Sequence, residues 1–258
     1  MKKTKQILIA VAILLIAATQ SSIAQTLKEL AKQANSQCPI QASEEFTITK
    51  VKAEGNTLNY YNTVKRINGS NATFQSIKNN PAQQKATVLI NYHTLDKDLI
   101  DYYVENKIDV KYTYTDEGDP KSVATILLST DEMRKASRYE LPADEMLSQM
   151  VAIMKTALPI EMRKGYSKTN LELDAKNVIT TYTIDEDQYD MDKLEPYMQS
   201  DEYKEGILSP MKTNNTLNIL LHYIANSNRG VMEKIVGNKT NRTIIISVTP
   251  KEVKAALK

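Results

Sequence analysis

The chain of 258 residues has no tryptophan, one cysteine, two phenylalanines and seven glycines. A single cysteine cannot form an internal disulfide, so the fold must be stabilised by packing. The lack of tryptophan disfavours a stacking platform for sugars. The sequence also has no Gly-x-Ser-x-Gly, no phosphate-cradling glycine loop and no His-Glu-x-x-His, which argues against the serine hydrolases, nucleotide-binding proteins and zinc peptidases that those motifs define.

The chain also lacks an excess of charge of one sign. It has 33 basic and 31 acidic residues, a net charge of +2. The N-terminal segment discussed next holds three lysines and no acids, and without it the net charge is −1. The lysines are spread along the chain, so the sequence has no electrostatic footprint for nucleic acid or for an anionic membrane surface.

The N-terminus has the pattern of a signal peptide. Lysines precede an apolar run at 7–18 that is too short to span a membrane comfortably, and Ser22-Ile23-Ala24 has small residues where a signal peptidase requires them. We predict a signal peptide at 1–24, cleavage before Gln25, and no membrane span after cleavage. An uncleaved anchor is the alternative. An exported chain without disulfides fits a periplasmic or secreted bacterial protein.

The remainder of the chain reads as two related halves. An apolar stripe at helical spacing, followed by an apolar-Pro-Ile step, occurs twice at a separation of 120 residues. The matching positions are Leu27, Leu30, Ala31, Ala34 and Cys38-Pro39-Ile40 in the first copy and Leu147, Met150, Val151, Met154 and Leu158-Pro159-Ile160 in the second. This pattern predicts a tandem duplication, with units at 25–133 and 134–258.

Each unit is predicted to have the order α-β-β-α-β-β. A first helix with Asp144 as its N-cap in the second copy is followed by a hairpin, a second helix and a final hairpin. Hairpins make a sheet mostly antiparallel, so the predicted class is α+β. The apolar run at 86–90 fits either a helix or a strand.

The alignment of the two copies predicts one insertion. Matching Asn56 with Asn177 and Tyr61 with Tyr182 places an extra residue at or before the turn of the first hairpin in the second unit. A match of Tyr103 with Tyr223 in the second helix restores the separation of 120.

Few residues suggest a metal or a reactive thiol. His93 and His222 have no further histidine or cysteine at ligand spacing. Cys38 aligns with Leu158, which indicates an apolar packing position rather than a nucleophile. We therefore predict no metal and no cofactor.

The acidic stretch Asp185, Asp187, Asp190 and Asp192 could suit a hard cation. It lacks the glycine and glutamate of an EF-hand loop, and Asp192 is better explained as the N-cap of a helix from Lys193. We interpret the stretch as a solvated acidic loop.

Carboxylate catalysis leaves little trace in a sequence, because suitably separated pairs need not be close along the chain. The candidates are Glu54, Asp98, Asp109, Asp116 and Glu132. None of them stands out, so no catalytic residue is assigned.

Tyrosine is the abundant aromatic residue, with 14 copies. Adjacent strand residues face opposite ways, so Tyr60 and Tyr61 cannot both be buried, and Tyr102 and Tyr103 do not share one helix face. At least two tyrosines should therefore lie near the surface. We predict a partner-binding face that includes Tyr60, Tyr61, Tyr102 and Tyr112. Sheet-surface tyrosines without a binding role are the alternative.

The order of signal peptide, helix, Cys38-Pro39-Ile40 and hairpin resembles small exported proteins of uncharacterised function from Bacteroidota-type bacteria. The second helix and the hairpin that begins at Val110 add to the resemblance, which covers both units and implies an envelope location. It carries over no catalytic residues.

Duplication without a shared polar constellation favours a non-enzymatic, exported binding protein whose partner is an envelope protein or polymer. A metal-independent hydrolase that uses paired carboxylates, one with a raised pKa, is the first alternative. A structural or assembly subunit with a large apolar face is the second.

Overall fold

The computed structural model describes residues 27–92 and 97–258. The predicted signal peptide at 1–24 and His93 lie outside the described residues, as does the side chain of Asp98. The chain divides into two compact units, of which the first ends at Glu140 and the second begins at Leu141.

The first unit alternates short helices with the strands of one sheet. Its elements are α1 (Leu27–Ser36), β1 (Ile40–Gln41), β2 (Phe46–Glu54), β3 (Thr57–Val64), α2 (Ala72–Asn79), α3 (Pro81–Tyr92), α4 (Lys97–Glu105), β4 (Asp109–Asp116), β5 (Asp119–Leu128) and α5 (Thr130–Ser137). The run at 86–90, for which the sequence left helix and strand open, is part of α3.

The second unit repeats this order. Its elements are α6 (Ala143–Lys155), β6 (Ile160–Arg163), β7 (Tyr166–Leu173), β8 (Asn177–Ile184), α7 (Met191–Met198), α8 (Asp201–Thr213), α9 (Asn215–Asn226), β9 (Gly230–Gly237), β10 (Thr243–Val248) and α10 (Pro250–Ala255).

Each unit has one five-stranded sheet in its described residues. The strand orders are β1-β2-β3-β4-β5 and β10-β9-β8-β7-β6. The central pairs, β3 with β4 and β8 with β9, are parallel, and the other pairs are antiparallel. A parallel pair needs a crossover, which the helices between those strands supply. The predicted α+β class with two similar tandem units is confirmed.

The unit boundary lies after α5 rather than at 133/134. A capping box at Ser129 and Glu132 begins α5, and the helix then packs on α3 and α4 of the first unit. Its buried residues Met133 and Ala136 belong to the core of that unit. The first unit therefore extends to Glu140.

The predicted insertion is in the wrong place. A β-bulge falls at Thr49 in the first unit and at Thr169 in the second, which keeps the separation of 120 through both hairpins. Thr57 therefore corresponds to Asn177, because both begin the strand that pairs with β4 or β9. The identity of two turn asparagines had suggested the other alignment.

The extra residue of the second unit instead lies between β8 and α9. The residues that leave α4 and α9 with positive φ, Lys107 and Asn228, are 121 apart, as are the first residues of β4 and β9. Tyr103 therefore corresponds to Ile224, not to Tyr223. The Tyr103 carbonyl accepts from the backbone N–H of Ile108 after α4, and the Ile224 carbonyl accepts from that of Arg229 after α9.

Two predicted helix starts are also wrong. Helix α6 has Pro142 at its N-cap, and Asp144 lies within the first turn, where a carboxylate still complements the helix dipole. Helix α7 begins at Met191, two residues earlier than expected, and its N-cap is Asp190, whose side chain accepts from the backbone N–H of Asp192.

One face of the second sheet packs against helices, and we call it the inner face. Ile184, Ile235 and Ile246 on this face form a buried cluster with Met191 and Met198 of α7. Residues in register with these isoleucines share the inner face, because cross-strand partners project to the same side. In the described residues, no helix combines the length and apolar character needed to cross a membrane.

Candidate functional site

Strand β9 places a glutamate among apolar neighbours. Val231, Glu233 and Ile235 alternate along the strand and are all buried, as period-two geometry requires for one face. Glu233 is paired in register with Thr180 on β8 and with Ile246 on β10. Its carboxylate therefore lies on the inner face, where an ionised group needs hydrogen-bond partners.

Two tyrosines supply those partners. The hydroxyl of Tyr182 on β8 donates to Glu233 Oε1 at 3.1 Å, and the hydroxyl of Tyr203 on α8 donates to Oε2 at 3.0 Å. Charge-assisted hydrogen bonds of this kind are stronger than neutral ones. The carboxylate thus links the sheet to the helix that covers it.

Strand β7 adds an aromatic ring and a cation to the same face. Tyr166 is in register with Ile184, and Lys168 with Tyr182. The Tyr166 and Tyr182 rings are stacked, with centroids 5.1 Å apart. The Lys168 ammonium interacts with the charge of Glu233, but it forms no direct ion pair with any residue that the structure describes. We call Tyr166, Lys168, Tyr182, Tyr203 and Glu233 the Glu233 cluster.

Burial shifts the pKa values of the cluster. It raises the pKa of the Glu233 carboxyl, an effect that the hydrogen bonds from Tyr203 and Tyr182 and the charge of Lys168 partly offset. Burial lowers the pKa of Lys168 and raises that of Tyr166 to about 12. Both charged groups are thus held in an environment that disfavours their charge.

Arginine extends the cluster at the sheet edge. Arg163 on β6 is in register with Tyr166, and its guanidinium lies over the rings of Tyr166 and Tyr189, 5.0 and 5.2 Å from their centroids. Arg163 itself is exposed, while Tyr166 and Lys168 are half-buried. The cluster is therefore buried at Glu233 and open to solvent on the β6–β7 side.

The first unit has none of this chemistry at the equivalent positions. Phe46, Ile48, Asn62 and Tyr112 stand where the second unit has Tyr166, Lys168, Tyr182 and Glu233. Tyr112 stacks on Tyr60, with centroids 5.5 Å apart, and both side chains are buried. The charged pair is thus specific to one copy of the fold.

This geometry corrects the predicted tyrosine face. Tyr60 and Tyr112 are each 4% exposed, because β3 and β4 direct them into the core beside Tyr103, so they offer no surface to a partner. Tyr61 and Tyr102 are half-buried. The expectation that two of these tyrosines lie near the surface is confirmed. A binding role for either stays a prediction.

The other predicted carboxylates have structural partners. Glu54 accepts from Tyr61 and Asn59, and Asp109 accepts from the backbone N–H and hydroxyl of Thr130 at the start of α5.

Asp116 and Glu132 are engaged in the same way. Asp116 forms a two-point ion pair with Arg66, whose guanidinium holds the pKa of that carboxyl well below its usual range. Glu132 completes the α5 capping box and pairs with Lys85.

Cys38 is half-buried, and its thiol donates to the Ala34 carbonyl at 3.6 Å. Burial raises the pKa of the thiol, which keeps it protonated and a poor nucleophile. Burial lowers the pKa of His222. Across the described residues, no group of histidine, cysteine and carboxylate side chains has the arrangement of a metal site.

The acidic stretch is tied to neighbouring side chains and backbone. Asp187 pairs with Lys239 and Asp192 with Arg242, while Glu186 accepts from the backbone N–H of Thr240 at 2.8 Å. These contacts give the carboxylates a role in holding the loop to the turn between β9 and β10.

Comparisons with known proteins add little. No family model and no curated protein matches the chain. Among solved structures, the crystal structure of a candidate secreted protein from Pseudomonas aeruginosa aligns with a TM-score of 0.34 and 11% identity, covering 43% of this chain and 92% of that chain. A likeness at this level does not bear on function, and the resemblance to exported Bacteroidota proteins stays a prediction.

Proposed function

We propose that the chain is an exported, non-enzymatic binding protein and that the second unit recognises its ligand through the Glu233 cluster. One observation carries the proposal: four positions that hold a neutral set of side chains in the first unit hold Tyr166, Lys168, Tyr182 and Glu233 in the second. Burying charge costs stability, and perturbed ionisable groups in one region mark a candidate functional site.

Binding is favoured over hydrolysis by the number of carboxylates. Hydrolysis by carboxylates alone uses a pair that flanks the reacting bond. In the described part of the chain, the Glu233 cluster holds one carboxylate, and both of its oxygens already accept hydrogen bonds from Tyr182 and Tyr203. Tyrosine and arginine are enriched in recognition surfaces, and a few convergent polar groups among apolar ones are typical of ligand sites.

A structural subunit is less well supported. Large exposed apolar side chains occur in both units, at Val123, Leu127, Met162, Tyr197 and Ile245. Assembly subunits are expected to present one continuous apolar face, whereas these residues are spread over β5, which holds Val123 and Leu127, and over β6, α7 and β10.

The proposal is tested by capture of small molecules. Protein purified from cells that express the full chain would be dialysed against a small-molecule extract of the cell envelope, and retained compounds identified by mass spectrometry. Lys168→Met should lose the retained compound. Lys234→Met is the matched control, because Lys234 adjoins Glu233 on β9 but projects from the opposite face.

Recovery of the compound unchanged supports binding, whereas recovery of a cleaved product supports the hydrolase. No retained compound, or retention that Lys168→Met does not alter, would overturn the proposal. N-terminal sequencing of the same preparation tests export, which predicts Gln25 as the first residue.

A further inference from the structure

Two cations on the inner face of the second sheet lack a direct anionic partner among the described residues. Lys168 and Arg163 lie on neighbouring strands, and Tyr166 stands between them in register with Arg163. Strand spacing and rise place their Cα atoms about 8 Å apart, a separation that two long side chains can close around one small group.

The contacts of Arg163 and the partial burial of Lys168 leave both side chains able to bind an anion. The Arg163 guanidinium makes cation–π contacts with the rings of Tyr166 and Tyr189, which hold it in place without using its N–H donors, so these donors can bind an acceptor. Lys168 is half-buried, so an anion that reaches its ammonium meets a charge that water screens only in part.

We infer that Arg163 and Lys168 form the binding site for an oxyanion, a carboxylate or phosphate group carried by the ligand of the second unit. This inference rests on the proposed function, and it identifies the chemical group of the ligand that binds at Arg163 and at Lys168 of the Glu233 cluster. A guanidinium fork and an ammonium are the groups that proteins use for such anions.

Glu233 sets the strength of this site. Its carboxylate accepts hydrogen bonds from Tyr182 and Tyr203 rather than from Lys168. It therefore interacts with the lysine charge but leaves the ammonium donors available to a ligand. A bound oxyanion would be attracted by Arg163 and Lys168 and repelled by ionised Glu233. Removing the Glu233 charge should therefore tighten oxyanion binding, an effect that a merely structural role for Glu233 would not produce.

The test is a titration of the purified protein with sodium acetate and, separately, with inorganic phosphate, at matched ionic strength with sodium chloride as reference. Binding is followed by backbone amide chemical shifts. We expect saturable binding of at least one anion. Lys168→Met and Arg163→Met should each weaken it about tenfold, the loss of one charge-assisted hydrogen bond.

Three further variants make the result decisive. Arg163→Lys should recover part of the affinity, Glu233→Gln should increase it, and Lys234→Met should leave it unchanged. Saturation by acetate alone identifies a carboxylate site, and saturation by phosphate alone identifies a phosphate site.

The inference is overturned if neither anion shifts the amides beyond chloride, or if Glu233→Gln weakens binding. If neither anion binds while capture of the envelope compound still depends on Lys168, the oxyanion site is wrong and the proposed function stands.

Discussion

At equivalent points of the two sheets, the first unit buries Tyr112 against Tyr60, whereas the second buries Glu233 beside Thr180. The backbones at these points have the same strand order, the same parallel central pair and the same bulge. The difference therefore lies in side chains alone. It teaches that the fold tolerates either an aromatic core or a charged cluster at this place, and the proposed ligand site uses the charged cluster.

The units differ again at the ends of their central strands. Asp116 ends β4 and pairs with Arg66, while Gly237 ends β9 and lies against Glu186. A side chain at Gly237 would meet the Glu186 carboxylate within 2.6 Å. Glu186 in turn accepts backbone hydrogen bonds in the following turn. Each unit thus closes the same strand end with a different acid.

The largest expected effect comes from moving the charge into the first unit. Tyr112→Glu would bury a carboxylate among Tyr60, Tyr92 and Tyr103, and the first unit has isoleucine at position 48 where the second has a lysine. The substitution should lower the free energy of unfolding by at least about 3 kcal/mol. Urea unfolding followed by circular dichroism measures it. A loss below about 1 kcal/mol would show that the first unit already accommodates charge, and the contrast between the units would fail.

Helix capping should affect both units alike. Ser129→Ala and Thr249→Ala each remove the side chain that accepts from a glutamate N–H in a capping box, and each should cost about 1 kcal/mol. Equal losses in urea unfolding would support a shared scaffold. A loss confined to one variant would mean that the final helices, α5 and α10, stabilise their units differently.

Neutralising Glu233 should stabilise the protein. Because burial raises the folded-state pKa of Glu233, the folded form binds the proton more tightly than the unfolded chain does. Stability contributed by this residue is thus lost as pH rises from about 4.3, the unfolded value, through the folded pKa. Glu233→Gln should be more stable than wild type at neutral pH by on the order of 1 kcal/mol.

The pH dependence provides the control for that variant. Below the unfolded pKa, Glu233 is protonated in both states, so the advantage of Glu233→Gln should vanish in acid. Asp116 behaves oppositely, because its folded pKa is lowered. Its contribution is present above about 3.9 and is lost as pH falls toward the folded pKa. A Glu233→Gln advantage that persists in acid would contradict the assignment of a buried, ionisable carboxyl.

The smallest effect concerns the shared bulge. Thr49 and Thr169 each donate a hydroxyl hydrogen bond to the carbonyl of the facing strand, at 3.2 and 3.3 Å. Thr49→Val and Thr169→Val should each cost about 0.5 kcal/mol in urea unfolding. A clear inequality would indicate that the bulge has a separate role in the second unit, where it follows Lys168.

Much of the fold could be predicted from the sequence because apolar periodicity and the repeated Pro-Ile step are local signals. The insertion was misplaced because the alignment relied on residue identity, and turn asparagines recur by chance. That error concealed the site. In the correct alignment, Tyr112 is equivalent to Glu233 and Ile48 is equivalent to Lys168. This contrast is visible in the sequence once the register is known.

The parallel central pair and the burial of Tyr60 and Tyr112 were beyond sequence reasoning. Both depend on which strands pair over long separations, and side-chain patterns along one strand do not specify that choice.

The central claim is that the ligand binds the second unit and not its aromatic counterpart. Hydrogen exchange with mass spectrometry, with and without the compound captured from envelope extract, tests it most directly. We predict ligand-dependent protection in β6, β7 and α8, and no change in the equivalent segments of the first unit. Protection in the first unit, or equal protection in both, would contradict the account.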